Sequence, residues 1–353
     1  MAYISTLMVN APSGIWSTII NFFESGVASF ALAIILLTIC IKLVMSPLDF
    51  MNKKVARNNA RMQAVLAPQM AKLQKQYGHD RNLLNQKTAE LYKRSGFSMG
   101  GSCVVMLVYL VLTIVIFFTL FSTLMGSTPY RVEQQYLDLR QAYVQTQGSE
   151  EDKKNAVLEV YDSRDSQFLW VQNVWFADNP WTNSNPTFKG YLNIVGNKIR
   201  TSADGETVNL KELKETDEAA YNTFIANFES EYNQVMAIVK DNRPTTNGYL
   251  ITALLAIGTA FLSQYLMQRK NVTKVQKDST VTTPQMNKGM LIIMPIIMGV
   301  FTLFYNAVFG LYIVASQLVS MATFPIFDKI LDKMDAKREK AAEEHIKMDY
   351  SRK

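Results

Sequence analysis

The sequence predicts an all-α polytopic membrane protein with five transmembrane helices, a cytoplasmic helical hairpin and a small, mostly helical extracellular insertion. Three observations carry this. Long uncharged runs alternate with charge-rich segments, the segments alternate in the sign of their charge, and a single lysine, Lys42, interrupts the first run. The 353 residues are 48% hydrophobic, a modest average because it mixes two unlike materials.

The uncharged runs are 26–48, 96–130, 248–268 and 289–327. About 20 apolar residues span the hydrocarbon core of a bilayer. The last run is long enough for two spans, and Tyr305-Asn-Ala-Val-Phe-Gly310 offers a turn near its middle. The boundaries drawn are an N-terminal segment 1–25, spans at 26–48, 96–128, 248–268, 289–306 and 307–327, a hairpin 49–95, an insertion 129–247, a loop 269–288 and a tail 328–353.

Charge sets the expected orientation. Between Pro47 and Gly100 stand ten Lys/Arg against Asp49, Asp80 and Glu90, and 269–288 holds five Lys/Arg against one Asp. The segment 127–247 has twelve Lys/Arg and eighteen Asp/Glu. Short basic loops stay in the cytoplasm, so the N-terminus and the acidic insertion are expected outside, and the hairpin and C-terminus inside. Residues 1–25 lack the basic start of a secretory signal. Ile15, Trp16, Ile19, Ile20, Phe22 and Phe23 suit a short amphipathic helix lying on the outer surface.

In the hairpin, Met62, Val65, Leu66, Met70, Leu73 and Tyr77 keep helical spacing. Pro68 is expected to bend or restart this helix. Gly78 suits a left-handed C-terminal cap and Asp80 an N-cap, and a second helix then runs through Leu83, Leu84, Leu91 and Tyr92. The plain alternative is a solvated basic segment, including Lys53, Lys54, Arg57 and Arg61, attracted to anionic lipid headgroups.

In the insertion, Tyr136, Leu139, Tyr143, Val157, Val160 and Tyr161 suggest helix. Tyr221, Ile225, Phe228, Tyr232, Val235 and Val239 alternate four and three apart, a coiled-coil seam spacing, which packing explains better than a partner surface. The stretch 187–210 is open between a hairpin and a loop.

Chemistry is sparse. Cys40 and Cys103 fall in or beside spans, so a disulfide framework is not expected. His79 and His345 have no ligand spacing, so no metal site and no cofactor are expected. No nucleophile–base pair or phosphate-binding glycine loop is visible, and an enzyme is not expected. Lys42 remains. A lysine inside a span is costly and usually has a task, unless it snorkels from the span's end to the headgroups.

Several blocks resemble the YidC-type membrane protein insertases: Ile41-Lys42-Leu-Val-Met-Ser-Pro47-Leu48, Leu66-Ala-Pro68-Gln-Met-Ala-Lys-Leu-Gln-Lys-Gln-Tyr-Gly78, Glu90-Leu-Tyr-Lys-Arg94 and Gly100-Gly101. Phe168-Leu-Trp170 with Asp178-Asn-Pro180, Lys288-Gly-Met-Leu-Ile-Ile-Met294-Pro295, and Gly310-Leu-Tyr312-Ile-Val-Ala-Ser316-Gln317 follow in the same order. The resemblance implies a five-helix bundle around a polar groove open to cytoplasm and lipid. It carries over Lys42 as the groove cation, Thr38 one turn earlier, and Tyr312 and Gln317. Nascent membrane proteins are the implied partners, with the ribosome and Sec translocon as further ones, in a bacterial cell membrane and without nucleic-acid readout. The chain departs from the family in three places. Lys42 stands where Arg is usual, and a compact ammonium lacks the planar fork of Arg. The second span puts Val104, Val108 and Leu110 where prolines and a Gln are usual, leaving Tyr109 or Thr113 to replace the amide. The insertion is also longer than in five-span relatives. The competing readings are a small-solute transporter using Lys42 and a scaffold for the outer domain. Met286, Met290, Met294 and Met298 form one face, which suits varied apolar clients as well as ordinary packing. The tail's eight Lys/Arg and seven Asp/Glu make a weak case for ribosome contact.

Overall fold

A computed structural model describes residues 9–27, 29–94, 99–196, 199–201, 207–268 and 288–351. The elements in chain order are α1 (Ile15–Glu24), α2 (Phe30–Tyr77), α3 (Arg81–Arg94), α4 (Met99–Gln145), α5 (Glu150–Ser163), α6 (Phe188–Val195), β1 (Ile199–Thr201), β2 (Thr207–Asn209), α7 (Leu210–Thr216), α8 (Glu218–Asn242), α9 (Ile251–Gln268), α10 (Lys288–Phe304) and α11 (Ala307–Ser351). The predicted helical class holds, with one small exception: β1 and β2 pair antiparallel, Ile199 opposite Asn209. That settles the 187–210 stretch as a short helix followed by a hairpin. Residues 197–198, 202–206 and 269–287 lie outside the described residues.

By length and composition, segments Phe30–Met62, Val104–Gln145 and Ala307–Arg338 can cross a membrane, while Ile251–Met267 and Ile292–Phe304 are shorter apolar helices. Among the described residues, each uncharged run is therefore mostly helical. In hydrocarbon only a helix satisfies all its backbone groups internally. The expected turn at 305–310 is tighter than drawn. Only Tyr305 and Asn306 separate α10 from α11, and the Asn306 side chain accepts the Phe309 N–H at 3.2 Å as a cap.

One expectation in the hairpin fails and another narrows. Helix α2 continues through Pro47 and Pro68, so of the bend or restart expected at Pro68 the restart is excluded. Gly78 is not among the glycines with positive φ; a side chain there would instead meet the Gln74 carbonyl at 2.5 Å. Asp80 does cap α3, accepting the Asn82 and Leu83 N–H groups at 2.9 and 3.0 Å. No residue of α3 is buried, so its apolar side chains only partly cover one another.

The chain divides into two compact units. The first comprises Met1–Leu37, Phe117–Leu255 and Gly299–Ile313, and the second Thr38–Ile116, Ala256–Met298 and Val314–Lys353. In the first, the insertion's core is an aromatic cluster of Tyr136, Phe188, Tyr191, Phe228 and Tyr232, with ring centroids 4.8–6.1 Å apart. The α8 stripe is largely as predicted, since Phe228, Tyr232, Val235 and Val239 are buried. At its N-terminal end, however, Phe224 is buried while Tyr221 and Ile225 are only half-buried. Ser149 and Asp152 close a capping box at the start of α5, and Asp217 caps α8 through the Ala220 N–H. Arg140–Glu231 and Arg243–Asp162 add ion pairs between elements of the insertion.

Candidate functional site

The second unit holds most of the predicted site residues: Thr38 and Lys42 on α2, Tyr109 and Thr113 on α4, and Gln317 on α11. Thr38 is buried and Lys42, one turn later, is half-exposed. Their spacing of four puts them on one helical face. Gln317 is half-buried and Thr113 exposed. The Tyr109 hydroxyl is hydrogen-bonded with Asp49 and with Thr113, so the second span supplies a phenol and a hydroxyl where an amide was expected. Tyr312 belongs to the first unit, half-buried with its ring 6.4 Å from that of Phe117.

The most developed polar structure in this unit is one the sequence reading did not assemble. Lys53 is 0% and Asp328 1% exposed, and the Lys53 Nζ stands 3.0 Å from the Asp328 carboxylate. The same ammonium donates to the carbonyls of Leu266 at 3.3 Å and Phe324 at 3.2 Å. Three acceptors match its three N–H donors. The Phe324 ring lies 5.1 Å from the nitrogen, adding a cation–π contact. One turn on, Arg57 pairs with Asp332 at 2.6 Å and Asp335 at 3.0 Å, and Arg61 pairs with Asp335 at 2.6 Å. Lys53, Arg57 and Arg61 follow each other every four residues along α2, as Asp328, Asp332 and Asp335 do every three or four along α11. Pairing in ascending order on both helices means that α2 and α11 run parallel here.

This corrects the solvated reading of the basic segment. Lys53 and Arg57 are buried, because carboxylates from the tail neutralise them where hydrocarbon or protein would otherwise face a bare charge. Lys54 and Arg61 stay half-exposed. The signal was present in the chain as Lys53-x3-Arg57-x3-Arg61 and Asp328-x3-Asp332-x2-Asp335. Counting net charge by segment concealed it. Pro68 and Gly78 lie further along, with Pro68 exposed and Gly78 just past the end of α2.

Among the described residues, no group of three or more His, Cys, Asp or Glu is placed to hold a metal ion. Cys40 is an exposed free thiol. The outward faces of α4 and α10, with Val104, Leu107, Val108, Val111, Val115, Ile292, Ile293 and Ile296 exposed, are apolar surface that only lipid or another apolar partner would cover.

Apolar helices of this length define an integral membrane protein. A family model described as the 60Kd inner membrane protein matches residues 22–334, and the chain belongs to that family, the YidC family. Proteins named membrane protein insertase YidC are similar over part of the chain. That of Maridesulfovibrio salexigens is 37% identical over 112 residues, covering 32% of this chain and 19% of its own length. That of Magnetococcus marinus is 37% and that of Methylobacillus flagellatus 38% identical over 113 residues, with the same coverage. The matched stretch thus spans about a fifth of these relatives. No solved structure matches.

Proposed function

We propose that this protein inserts other membrane proteins into the bilayer, taking the polar part of a nascent chain into the interior of the second unit while its apolar helix passes into lipid. The observation that carries the reading is Lys42, half-exposed on an apolar helix, with Thr38 buried one turn before it, in a chain of the YidC family. Tyr109, hydrogen-bonded with Asp49 and Thr113, supports it by supplying polarity from the second span. Gln317 and Tyr312 are further candidates.

The reading needs no nucleotide and no covalent step. A polar or peptide group carried into hydrocarbon without partners costs several kcal/mol, and fixed protein dipoles with one cation replace the lost water. An acidic client segment about 4 Å from Lys42 gains on the order of 4 kcal/mol at an effective dielectric of 20. The charge pattern favours the insertion and N-terminus outside and the hairpin and tail in the cytoplasm. On this orientation the hairpin's remaining basic residues meet anionic lipids, and ribosome or Sec contacts fall on the same side.

The test is insertion of a small single-span client into proteoliposomes by wild type and by Lys42→Arg, Lys42→Ala and Lys42→Glu. Arg retains activity, Glu abolishes it, and Ala loses most with acidic-tailed clients. Equal activity in all four removes the electrostatic role, and no insertion by wild type favours a scaffold or transporter instead.

A further inference from the structure

Four large apolar side chains stand in the open where the insertion is fastened to the apolar helices of the first unit: Leu169 at 70% exposure, Trp181 at 65%, Tyr249 at 63% and Phe304 at 75%. Their setting is rigid. Reciprocal backbone bonds between Phe168 and Val171, 3.0 and 2.9 Å, close a two-residue turn with Leu169 and Trp170 at its tip. The Trp170 indole donates to Asp178 at 2.9 Å. Asp178, itself buried, also accepts the Tyr249 N–H at 2.8 Å and, from Thr252, the N–H at 2.7 Å and the hydroxyl at 2.5 Å. The first turn of α9 is therefore tied down by one carboxylate. Any side chain at position 248 would run into that carboxylate, which is why Gly248 stands there.

The same segment reaches the other apolar helices. The Asn179 side chain donates to the Leu303 carbonyl at 3.0 Å, at the end of α10. The Ala307 and Val308 N–H groups, at the start of α11, donate to the carbonyls of Phe176 and Val174 at 2.9 and 3.1 Å. The segment that carries Leu169 and Trp181 is thus bonded to the ends of three apolar helices, and Tyr249 and Phe304 stand at two of those ends.

Leu169 has φ 52° and Leu250, beside Tyr249, has φ 67°. This left-handed region strains a side-chain-bearing residue and is ordinarily filled by Gly or Asn. A leucine kept there in an otherwise rigid turn, with its side chain out, calls for a contact outside the chain. Tyr and Trp are the residues that favour the membrane–water interface.

We propose that Leu169, Trp181, Tyr249 and Phe304 form an interfacial anchor that inserts into the headgroup–acyl boundary of the bilayer, with Leu169 as a fixed wedge. The partner is the lipid surface itself, and the anchor sets the depth at which the ends of α9 and α10 sit. It holds whether or not the protein acts as an insertase.

The experiment uses the full-length protein in phosphatidylcholine–phosphatidylglycerol vesicles, with Cys40→Ser and Cys103→Ser and an environment-sensitive dye on Leu169→Cys, Trp181→Cys or, as a control on α8, Glu229→Cys. Dye at 169 and 181 emits as in an apolar medium and is quenched best by lipids brominated high on the acyl chain, at a depth of about 5–10 Å. Dye at 229 behaves as in water. Water-like emission at 169 and 181 overturns the proposal. So does apolar emission without bromine quenching, which would mean a protein contact such as a second copy. The Leu169→Gly variant separates anchoring from folding. In detergent it unfolds at the same or a higher temperature, since strain is relieved, while dye at 181 in vesicles shifts toward water. A lower unfolding temperature in detergent would show Leu169 to be packed against protein and would also overturn it.

Discussion

Removing the Asp328 carboxylate should be among the most damaging single changes in the second unit. The carboxylate stands 3.0 Å from the Lys53 ammonium, and both are buried. At an effective dielectric of 20 the Coulomb attraction at that distance is about 5.5 kcal/mol. Asp328→Asn leaves the ammonium buried beside the Leu266 and Phe324 carbonyls without the carboxylate that neutralises it. Breaking one side of such a pair typically costs about 3–5 kcal/mol, because a buried charge is stranded. Lys53→Met strands the carboxylate instead and should cost a similar amount. The double variant Lys53→Met with Asp328→Leu strands nothing. It should recover most of the loss, since apolar replacement of a whole buried pair is often neutral or stabilising. The assay is reversible unfolding in mixed micelles, read for wild type, both single variants and the double, so that the cycle isolates the pair's own coupling. Single losses below about 1 kcal/mol, or a double variant as unstable as the sum of the singles, would refute a desolvated pair. It would place both groups in water.

Further outcomes follow from the same geometry. Gly310→Ala drives a methyl into the Thr252 side chain on α9, and overpacking of this kind should cost about 1–3 kcal/mol in the same unfolding assay. Gly248→Ala displaces the Asp178 carboxylate and should lower the unfolding temperature more than Asp138→Asn, which touches an exposed residue. Asp165 faces Glu24, and both address Arg131, at 3.7 and 2.6 Å. Burial, opposed by Arg131 and reinforced by Glu24, holds the Asp165 carboxyl above its ordinary value. Its folded form therefore binds a proton more readily than the unfolded chain. The stability this adds is fully present below the ordinary carboxylate range and is lost as pH rises through the raised value. Asp165→Asn should consequently raise the unfolding temperature at neutral pH relative to wild type and change it little in acid. The opposite pH trend would show that Arg131 outweighs burial.

The helices were legible because their signals are local. Uncharged runs of span length can satisfy their backbone only as helix, and Phe228, Tyr232, Val235 and Val239 keep a helical period along one face. What the sequence hid depends on pairings across long separations. Lys53 and Asp328 are 275 residues apart in sequence, and each lies in a segment rich in charge, where solvation is the default reading. Only the match of spacing on α2 and α11 reveals that they neutralise each other. Asp49 reads in the sequence as one more loop charge, yet it is buried and hydrogen-bonded with Tyr109. Asp178 was visible within a motif, but not as the acceptor that ties Trp170, Tyr249 and Thr252 together. At Pro68 only the restart is excluded, for a local reason. A proline removes one helical hydrogen bond, and α2 tolerates that loss within 48 continuous residues.

The central claim is that the polar interior of the second unit meets a client during insertion. A photoactivatable amino acid placed at position 42, and separately at exposed Val111 on α4 and at Glu229 on α8, can be challenged with a ribosome-bound chain exposing one apolar segment. The account predicts a crosslink from position 42 while the segment is partly inserted, fading on release, and little or none from 229. Equal yields from 42 and 229, or a crosslink from 111 without one from 42, would contradict it.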